Sequence, residues 1–583
     1  MNSLALASLL LVSAHAPAQT KPKPKPAPKP AVKVEVSVDA KNGDTLAGER
    51  TFRVSVNVTD PNDTVNQVEF YVNNDLRDSD SSTPYEFRID SLGEEEGTIR
   101  FRFKAFTAES RSGEVTITMK VDNGLSLGAA HHIAKGNEAL ADGKFREAIT
   151  SGRIALKLEP KSVDARLVMA RANLGLNVYD SAQKFAEDAL AENPKSTAAS
   201  ELLAAIQLRR AFNTVSRDSD RTRTLATIRN AFSQAVIARR KSLDLAVDEI
   251  GEPTDANLIP YADAALRASR YSIAISRLDA AYNRDNSRTD VANRLAYAYI
   301  RTGRFVDAIK TLETLKRYGK PNAYTFAVLA VAYDHSGTPK QAEEALKEAI
   351  LANDADPGVR TAQAFLALKR NQTNVLATLA RGLSNDAGQR TESWYFVAAA
   401  FNRLRQFPEA RRAFERAVIA EPANADAYIE RGNESLAITQ NSKLEKNEET
   451  YLYDTAKAYY ETAVVARPES AEALSGLALV ALFQNDIPRA IQFGEAAVKA
   501  SPNSAVGHYT LAAAYAKEAN IMSKRAGASV SPEVSRYNEL ARVANTTAAK
   551  LDVRNLEGRT IPREADVWKY LSEGGRPVVI ARP

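Results

Sequence analysis

The sequence predicts a multidomain protein in which a small all-β sandwich is followed by an all-α superhelical solenoid. From Val32 to Val121, apolar and polar residues alternate with a period of two, and after Gly128 the apolar period becomes helical. A helix-pair pattern of large and small apolar residues then recurs about every 34 residues. At 583 residues the chain is also too long for one hydrophobic core, which favours several domains or an extended array.

Composition and charge exclude several functional classes. Hydrophobic residues make up 44% of the chain and charged residues 26%, as in ordinary folded proteins. The formal net charge is +5, but residues 21–33 hold five lysines and no acid, so the rest of the chain is close to neutral. The global charge therefore does not indicate a nucleic-acid partner. The absence of cysteine excludes disulfides, thiolate metal sites and thiol nucleophiles.

The first residues have the pattern of a targeting segment. An apolar run from Leu4 to Val12 is followed by small residues at Ala14, Ala16 and Ala18. The run is shorter than the ~20 residues that span a bilayer. We therefore expect a signal peptide over residues 1–18, cleaved after Ala16 or Ala18, and an exported protein that is periplasmic, cell-surface or secreted. No later segment of the sequence predicts a transmembrane helix.

A Lys/Pro-rich linker is predicted over residues 19–31. The stretch KPKPKPAPKP has proline at nearly every second position, which prevents both helix and sheet. Such a segment adopts a stiff polyproline-II conformation of about 3 Å per residue. It serves either as a spacer, which we favour, or as a cationic contact for anionic cell-wall polymer or lipid headgroups.

The period-two region predicts a β-sandwich over residues 32–122. Six runs alternate inward apolar and outward polar residues between Asp/Asn/Gly/Ser turns, and they lie at 32–38, 52–58, 68–72, 85–89, 99–103 and 115–121. The segments VNQVEFYVNND, STPYEFRID and GTIRFRFKAFT resemble bacterial immunoglobulin-like domains. The resemblance implies a two-sheet sandwich. Domains of this kind serve as spacers, as adhesins or as carbohydrate contacts.

The segment at residues 393–422, SWYFVAAAFNRLRQFPEARRAFERAVIAEP, shows the repeating helical pattern most clearly. Large apolar residues occupy Trp394, Val397, Phe401, Phe407 and Phe414, small ones occupy Ala398, Ala410 and Ala417, and Pro422 closes the unit. Matching positions recur at Ala148, Ala155 and Pro160, at Ala274 and Ala281, at Ala296 and Ala308, at Ala342 and Ala349, and at Ala490, Ala497 and Pro502. We expect the alanines to lie where two helices cross closely and the prolines to end each second helix.

This period and these positions resemble the tetratricopeptide repeat (TPR), and the resemblance covers most of residues 129–520. It implies stacked helix hairpins whose first helices line a concave groove. Two departures from the pattern stand out: an irregular unit at residues 197–254 and a polar insertion at residues 439–450. Residues 531–583 leave the pattern and are predicted to form C-terminal capping helices and a tail.

No catalytic, cofactor-binding or metal-binding residues are predicted. The sequence shows no Ser/His/Asp arrangement, no phosphate-binding glycine loop and no pair of metal ligands on one helix face. The histidine neighbours His131 and His132 are expected to point apart on a helix. His508 falls at a position where large side chains pack against the second helix. We therefore expect a non-catalytic protein.

The exposed stripe of the first helices gives candidate residues for a partner-binding groove. They are Asn293, Tyr297, Arg301, Tyr324, His335, Tyr395, Asn402, Arg403 and Asn433. Tyr and Arg commonly anchor protein interfaces. In TPR proteins that bind the acidic C-terminus of heat-shock chaperones, lysines clamp the carboxylate, but Ile133 and Ile429 stand where such lysines would be. The clamp is not supported.

Two functions remain open at this stage. The favoured one is an exported scaffold or adaptor that binds a protein or peptide partner in the groove. The alternative is a cell-envelope polysaccharide-binding or export component that uses the sandwich and the basic segment 209–241. Its candidate polyanion contacts are Arg209, Arg210, Arg239, Arg240 and Lys241, although the same residues also fit a solvated face of a long helix pair.

Overall fold

A computed structural model describes residues 32–214, 221–370, 372–386, 391–441, 444–526 and 531–551. These residues form two compact units, which divide between Leu127 and Gly128. The predicted signal peptide, the Lys/Pro-rich linker and the tail beyond Leu551 lie outside the described residues. Within the described part of the chain, no helix combines the length and the apolar character that crossing a membrane requires.

The first unit is a β-sandwich, as predicted. Its strands are β1 (Val34–Val38), β2 (Thr45–Leu46), β3 (Glu49–Val58), β4 (Val65–Val72), β5 (Asp75–Asp80), β6 (Tyr85–Asp90), β7 (Gly97–Thr107) and β8 (Ser112–Val121). One sheet has the order β1-β3-β6 and the other the order β2-β8-β7-β4-β5. All pairings are antiparallel except the short parallel pairing of β2 with β8.

Aromatic side chains from both sheets fill the space between them. Phe52 on β3 lies opposite Phe87 on β6, and Phe70 on β4 lies opposite Phe103 on β7. The ring centroids of Phe52 and Phe103 are 5.4 Å apart in an edge-on arrangement, which joins the two sheets. All four rings are at most 1% exposed. The inward positions of the period-two pattern therefore do form the core.

Strands β2 and β5 are absent from the sequence prediction. β5 has the sequence DLRDSD and lies at the edge of its sheet, where none of its six residues is fully buried. β2 has only two residues. A strand without an inward apolar face produces no period-two signal, so the hydrophobic pattern alone does not reveal it. The polar side chains of β5 also suit an edge that must not pair with other chains.

The described residues of the second unit form successive helix hairpins. Its helices are α1 (Gly128–Ala141), α2 (Phe145–Leu158), α3 (Val163–Gly175), α4 (Tyr179–Glu192), α5 (Thr197–Asn213), α6 (Arg221–Ile250), α7 (Leu258–Arg267), α8 (Tyr271–Arg284), α9 (Thr289–Arg301), α10 (Phe305–Tyr318), α11 (Ala323–His335), α12 (Pro339–Asn353), α13 (Pro357–Lys369), α14 (Thr373–Asp386), α15 (Thr391–Arg403), α16 (Phe407–Ala420), α17 (Ala425–Asn441), α18 (Lys446–Ala466), α19 (Ala471–Phe483), α20 (Ile487–Ala500), α21 (Ala505–Ala526) and α22 (Pro532–Leu551).

The alanine positions are buried, as the repeat pattern predicts. Ala398, Ala410 and Ala417 of the α15–α16 hairpin are at most 1% exposed. The equivalent alanines of other hairpins are at most 3% exposed; they include Ala148, Ala155, Ala274, Ala281, Ala296, Ala308, Ala342, Ala349, Ala490 and Ala497. A methyl group is therefore the largest side chain that the crossing of the two helices accepts.

The prolines end the second helices as predicted. Helices α2, α16 and α20 each end two residues before a proline, namely Pro160, Pro422 and Pro502. In several hairpins a serine then caps the next first helix: the Ser162 hydroxyl accepts from the Ala165 N–H, the Ser196 hydroxyl from the Ala199 N–H and the Ser470 hydroxyl from the Ala473 N–H. The proline that ends one hairpin and the serine that caps the next are thus close in the sequence, which makes the connections between hairpins short.

The irregular unit contains the pair α5 and α6. Helix α6 has 30 residues and exceeds every other helix that the structure describes. It packs against its partner α5 and, far along the chain, against α18. The insertion at 439–450 lengthens the α17–α18 hairpin, since α17 runs to Asn441 and α18 begins at Lys446. Helix α22 packs along α21 at the C-terminal end of the described helices.

Candidate interaction surface of the helical array

The predicted groove residues lie on the first helices of four hairpins. Helix α9 carries Asn293, Tyr297 and Arg301, α11 carries Tyr324 and His335, α15 carries Tyr395, Asn402 and Arg403, and α17 carries Asn433. The side chain of Tyr395 lies outside the described part of the structure. The other eight side chains divide into a group around α17 and a group along α9 and α11.

Glu430 on α17 brings two of the predicted asparagines together. The Asn402 side-chain amide donates to the Glu430 backbone carbonyl at 3.0 Å and to its carboxylate at 3.4 Å, and the Asn433 amide donates to the same carboxylate at 3.3 Å. The Tyr460 hydroxyl donates to Asn433 at 2.7 Å. Burial raises the pKa of Glu430, although the charge of Arg403 and both asparagines oppose this change.

Asp426, one turn earlier on α17, forms ion pairs with Arg467 and Arg301. The Arg467 guanidinium donates to Asp426, and Arg301 on α9 lies 3.8 Å from the other oxygen of the same carboxylate. Burial disfavours the ionised carboxylate, but the charges of Arg467 and Arg301 outweigh it and hold the pKa of Asp426 below its usual value. Two predicted stripes, on α9 and on α17, therefore meet through one ion pair.

Asn293 is the most buried member of the second group. It is 6% exposed, and its amide nitrogen donates to the Asn322 side chain at 3.3 Å. Its side-chain oxygen has no hydrogen-bond partner among the described residues, and neither has that of Asn402. Tyr297 and Tyr324 are half-buried nearby on α9 and α11. A buried amide oxygen without a partner is an acceptor that a backbone N–H of a ligand can satisfy.

His335 packs between aromatic rings instead of facing a groove. Its ring stacks on Phe305 with a centroid distance of 4.6 Å, and the Phe365 centroid lies 5.1 Å away. Burial and the nearby Lys369 lower the pKa of His335 to about 3, although Asp334 acts in the opposite direction. We therefore assign His335 to the core between hairpins and leave it out of the candidate site. The position lies on the predicted stripe, but aromatic neighbours from two adjacent hairpins cover it.

The other histidines of the described residues, His131, His132 and His508, also contact groups of the protein itself. The rings of His131 and His132 touch edge to face, with centroids 5.3 Å apart, so the prediction that they point apart is wrong. The His508 ring nitrogen lies 2.9 Å from the Pro502 carbonyl oxygen. Among the described residues there is no group of three or more histidine, aspartate and glutamate side chains suited to a metal ion.

Sequence reasoning missed the charged residues of α17 that organise the site. Arg431 lies 2.7 Å from Glu434 and over the Tyr459 ring at 5.3 Å, and Arg411 on α16 donates to the same glutamate at 3.0 Å. The Glu434 side chain is 1% exposed. The signal was present in the segment AYIERGNES, where charged residues interrupt a helix that should be largely apolar on its packed faces.

The basic segment is used mainly inside the molecule. Arg210 pairs with Asp180 on α4 at 2.9 Å. Arg239 on α6 binds Glu421 at 3.0 Å and Glu201 at 2.8 Å. Arg240 donates to the Val465 carbonyl at 3.1 Å but is itself exposed, as are Arg209 and Lys241. Three of the five residues proposed as polyanion contacts thus have intramolecular partners, and they do not form one continuous free cationic face.

Helix α6 also contributes an aromatic ring to the packing of a distant hairpin. Phe232 is 2% exposed and lies among the rings of Phe212, Phe414, Tyr428 and Tyr459, with centroid distances from 5.4 to 6.0 Å. Phe414 is one of the large apolar residues of the repeat pattern. The irregular unit therefore takes part in the core of a hairpin that lies almost 200 residues later in the sequence.

Comparison with known proteins agrees with both units. Residues 34–119 match a family model described as a bacterial Ig domain, and residues 139–206, 265–325 and 452–505 match models described as tetratricopeptide repeats. A curated relative, the TPR repeat-containing protein YpiA of Bacillus subtilis (strain 168), is 27% identical over 188 residues. That alignment covers 32% of this chain and 43% of the relative, so the chain spans less than half the length of this relative.

Two solved structures illustrate the extent of the structural similarity. The APC/C hetero-tetramer Cut9-Hcn1 aligns with 76% of this chain and 93% of its own, at 14% identity and a TM-score of 0.39. Yeast Tom70 aligns with 76% of this chain and 96% of its own, at 12% identity and a TM-score of 0.32. Together with the geometry above, the family models identify the chain as a tetratricopeptide-repeat protein with an N-terminal bacterial Ig domain.

Proposed function

We propose that the protein is a non-catalytic scaffold whose helical array binds an extended segment of a protein partner along the first helices of its hairpins. The observation that carries the proposal is the convergence of Arg301, Asn402, Arg403 and Asn433 on two carboxylates of α17. These residues come from three different first helices. TPR arrays in general bind protein partners on such a surface, and the matched repeats support the same use here.

The chemistry of the surface suits a peptide backbone better than a highly charged ligand. The arginines Arg301 and Arg467 face Asp426, and Arg403 acts on Glu430, so positive and negative groups balance locally. The buried side-chain oxygens of Asn293 and Asn402 have no partner among the described residues, so they can accept from a ligand that uncovers them. Tyr297 and Tyr324 add apolar area at a small entropy cost. We therefore favour a protein partner over a polysaccharide, all the more because Arg210, Arg239 and Arg240 are engaged internally.

We also propose that the protein is exported. The apolar run from Leu4 to Val12 and the small residues that follow it support a cleaved signal peptide. Sequencing of the mature N-terminus checks this proposal. A chain that starts at Pro17 or Gln19 supports export, whereas an intact start at Met1 in the cytosolic fraction rejects it.

Site-specific photocrosslinking tests the binding surface. A photoreactive amino acid at Tyr297 or at Arg403 should trap the same partner band in cells. The matched control is Tyr318, which is 63% exposed on α10, the second helix of its hairpin. The proposal is rejected if no band forms at either groove position, or if Tyr318 traps the same band with equal yield.

A further inference from the structure

Helix α6 joins two parts of the array that are distant in sequence. Helix α6 packs against α5 and α7, its neighbours along the chain, and also against the distant helix α18. Arg229 binds Glu461 at 2.7 Å, and Arg240 donates to the Val465 carbonyl at 3.1 Å. The run of helices from α7 to α18 therefore contacts α6 at both of its ends. Together with α6, these helices form a closed circuit of contacts between neighbouring helices.

Inside this circuit, two of the helices that carry the candidate binding surface meet at one ion pair. Arg301 on α9 and Asp426 on α17 approach within 3.8 Å, although both lie on faces predicted to line an open groove. The side-chain oxygens of Asn293 on α9 and Asn402 on α15 are also buried. A partner that uses these acceptors must first uncover them.

We propose that α6 is an autoinhibitory strap, which by docking on α16–α18 holds the surfaces of α9 and α17 together and excludes the partner. The inference rests on the proposed binding function. Release of α6 uncovers the part of the core that Phe232 shares with α16–α18, but the contacts between consecutive hairpins remain, so the repeats can stay helical while the strap is open. The buried ring of Phe232 makes the closed state dominant, and the partner then binds with an affinity reduced by the small open fraction.

Distance measurements on the free protein test the strap without any partner. Because the chain has no cysteine, Lys241→Cys on α6 and Glu469→Cys just after α18 provide the two spin-label sites, and both positions are exposed. We expect a dominant short distance, and a longer one that becomes populated in urea before helical circular dichroism is lost. Arg229→Glu should enlarge the longer population about fivefold or more, because it removes one partly exposed ion pair and sets a second carboxylate against Glu461.

The matched control is Arg284→Glu, which removes the exposed ion pair with Asp255 at 2.7 Å and lies outside the α6–α18 contact. It should leave the distance distribution unchanged. The strap is rejected if the short distance persists alone in Arg229→Glu and disappears only at the urea concentration where helical circular dichroism is lost.

A covalent crosslink between α6 and the segment after α18 tests the proposed strap separately from the proposed binding function. A short bismaleimide that joins the two introduced thiols of the Lys241→Cys/Glu469→Cys double variant should lower the photocrosslinking yield at Tyr297 at least tenfold, and Arg229→Glu should raise it. Equal yield from the locked and the unlocked chain rejects autoinhibition. If neither chain traps a partner, the proposed binding function fails, while the distance measurements still decide whether α6 opens.

Discussion

Arg229 on α6 and Glu461 on α18 form an ion pair of 2.7 Å although 232 residues separate them in the sequence. Phe232, one turn further along α6, lies under Tyr459 of the same distant helix. A charged contact and an apolar contact therefore lie side by side where helix α6 of the irregular unit meets the α17–α18 hairpin. In an array where each repeat normally contacts only its neighbours, this joint makes the stability of distant hairpins interdependent.

The first prediction concerns this joint. Phe232→Ala removes a ring that is 2% exposed, and we expect a loss of about 3–5 kcal/mol in the free energy of unfolding, measured with urea. As a control, Tyr318→Ala on the exposed face of α10 should change the free energy by about 0.5 kcal/mol or less. Equal effects of the two substitutions would show that Phe232 is not part of a packed core.

The second prediction concerns the alanine positions. Ala417→Leu places a larger side chain at a helix crossing where the methyl group is 0% exposed, and it should destabilise the protein by about 1–3 kcal/mol. Ala420 lies one turn later on the same helix and is exposed, so Ala420→Leu serves as the matched control. Thermal unfolding of both variants gives the comparison, and a tolerated leucine at 417 would contradict tight helix approach.

The third prediction concerns two glycines beside Tyr460. A Cβ atom at Gly432 would lie 2.7 Å from the Tyr460 ring, and one at Gly476 would lie 2.5 Å from it. Gly476→Ala should therefore lower the free energy of unfolding by about 1–3 kcal/mol. Gly382 on α14 has open space around its Cα, so Gly382→Ala should raise it by about 0.5–1 kcal/mol. The opposite changes in the free energy of unfolding distinguish an effect of packing at Gly476 from an effect of helix propensity at Gly382.

The fourth prediction concerns pH. Because the pKa of His335 is lowered to about 3 in the folded protein, the unfolded chain binds the proton more readily. This contribution to stability is complete above the ordinary histidine pKa near 6.5 and is lost as the pH falls toward 3, by up to about 1.4 kcal/mol per pH unit.

His335→Phe keeps an aromatic ring between Phe305 and Phe365 and removes the titrating group. Urea unfolding at a series of pH values should show a shallower acid dependence in this variant and a similar stability at about pH 8, where wild-type His335 is neutral in both states. An unchanged acid dependence would mean that other groups account for it.

The charged residues of α17 show how far the sequence could predict the candidate surface. Arg301, Asn402, Arg403 and Asn433 were found because the repeat frame assigns exposed positions on first helices. Asp426, Glu430 and Arg467 were missed, since a frame built from apolar positions carries no information about which charges will pair. The partner of each charge depends on the angle between hairpins, which a single unit does not encode.

The sequence by itself determined the two kinds of unit and the layout of each hairpin. Alternation with a period of two, alanines at a fixed spacing and prolines after the second helices are local signals, and each acts within about one repeat length. The tertiary structure alone decided that α6 docks on α18 and that Arg301 reaches Asp426. These contacts arise from small rotations that accumulate over many hairpins, so no local pattern specifies them.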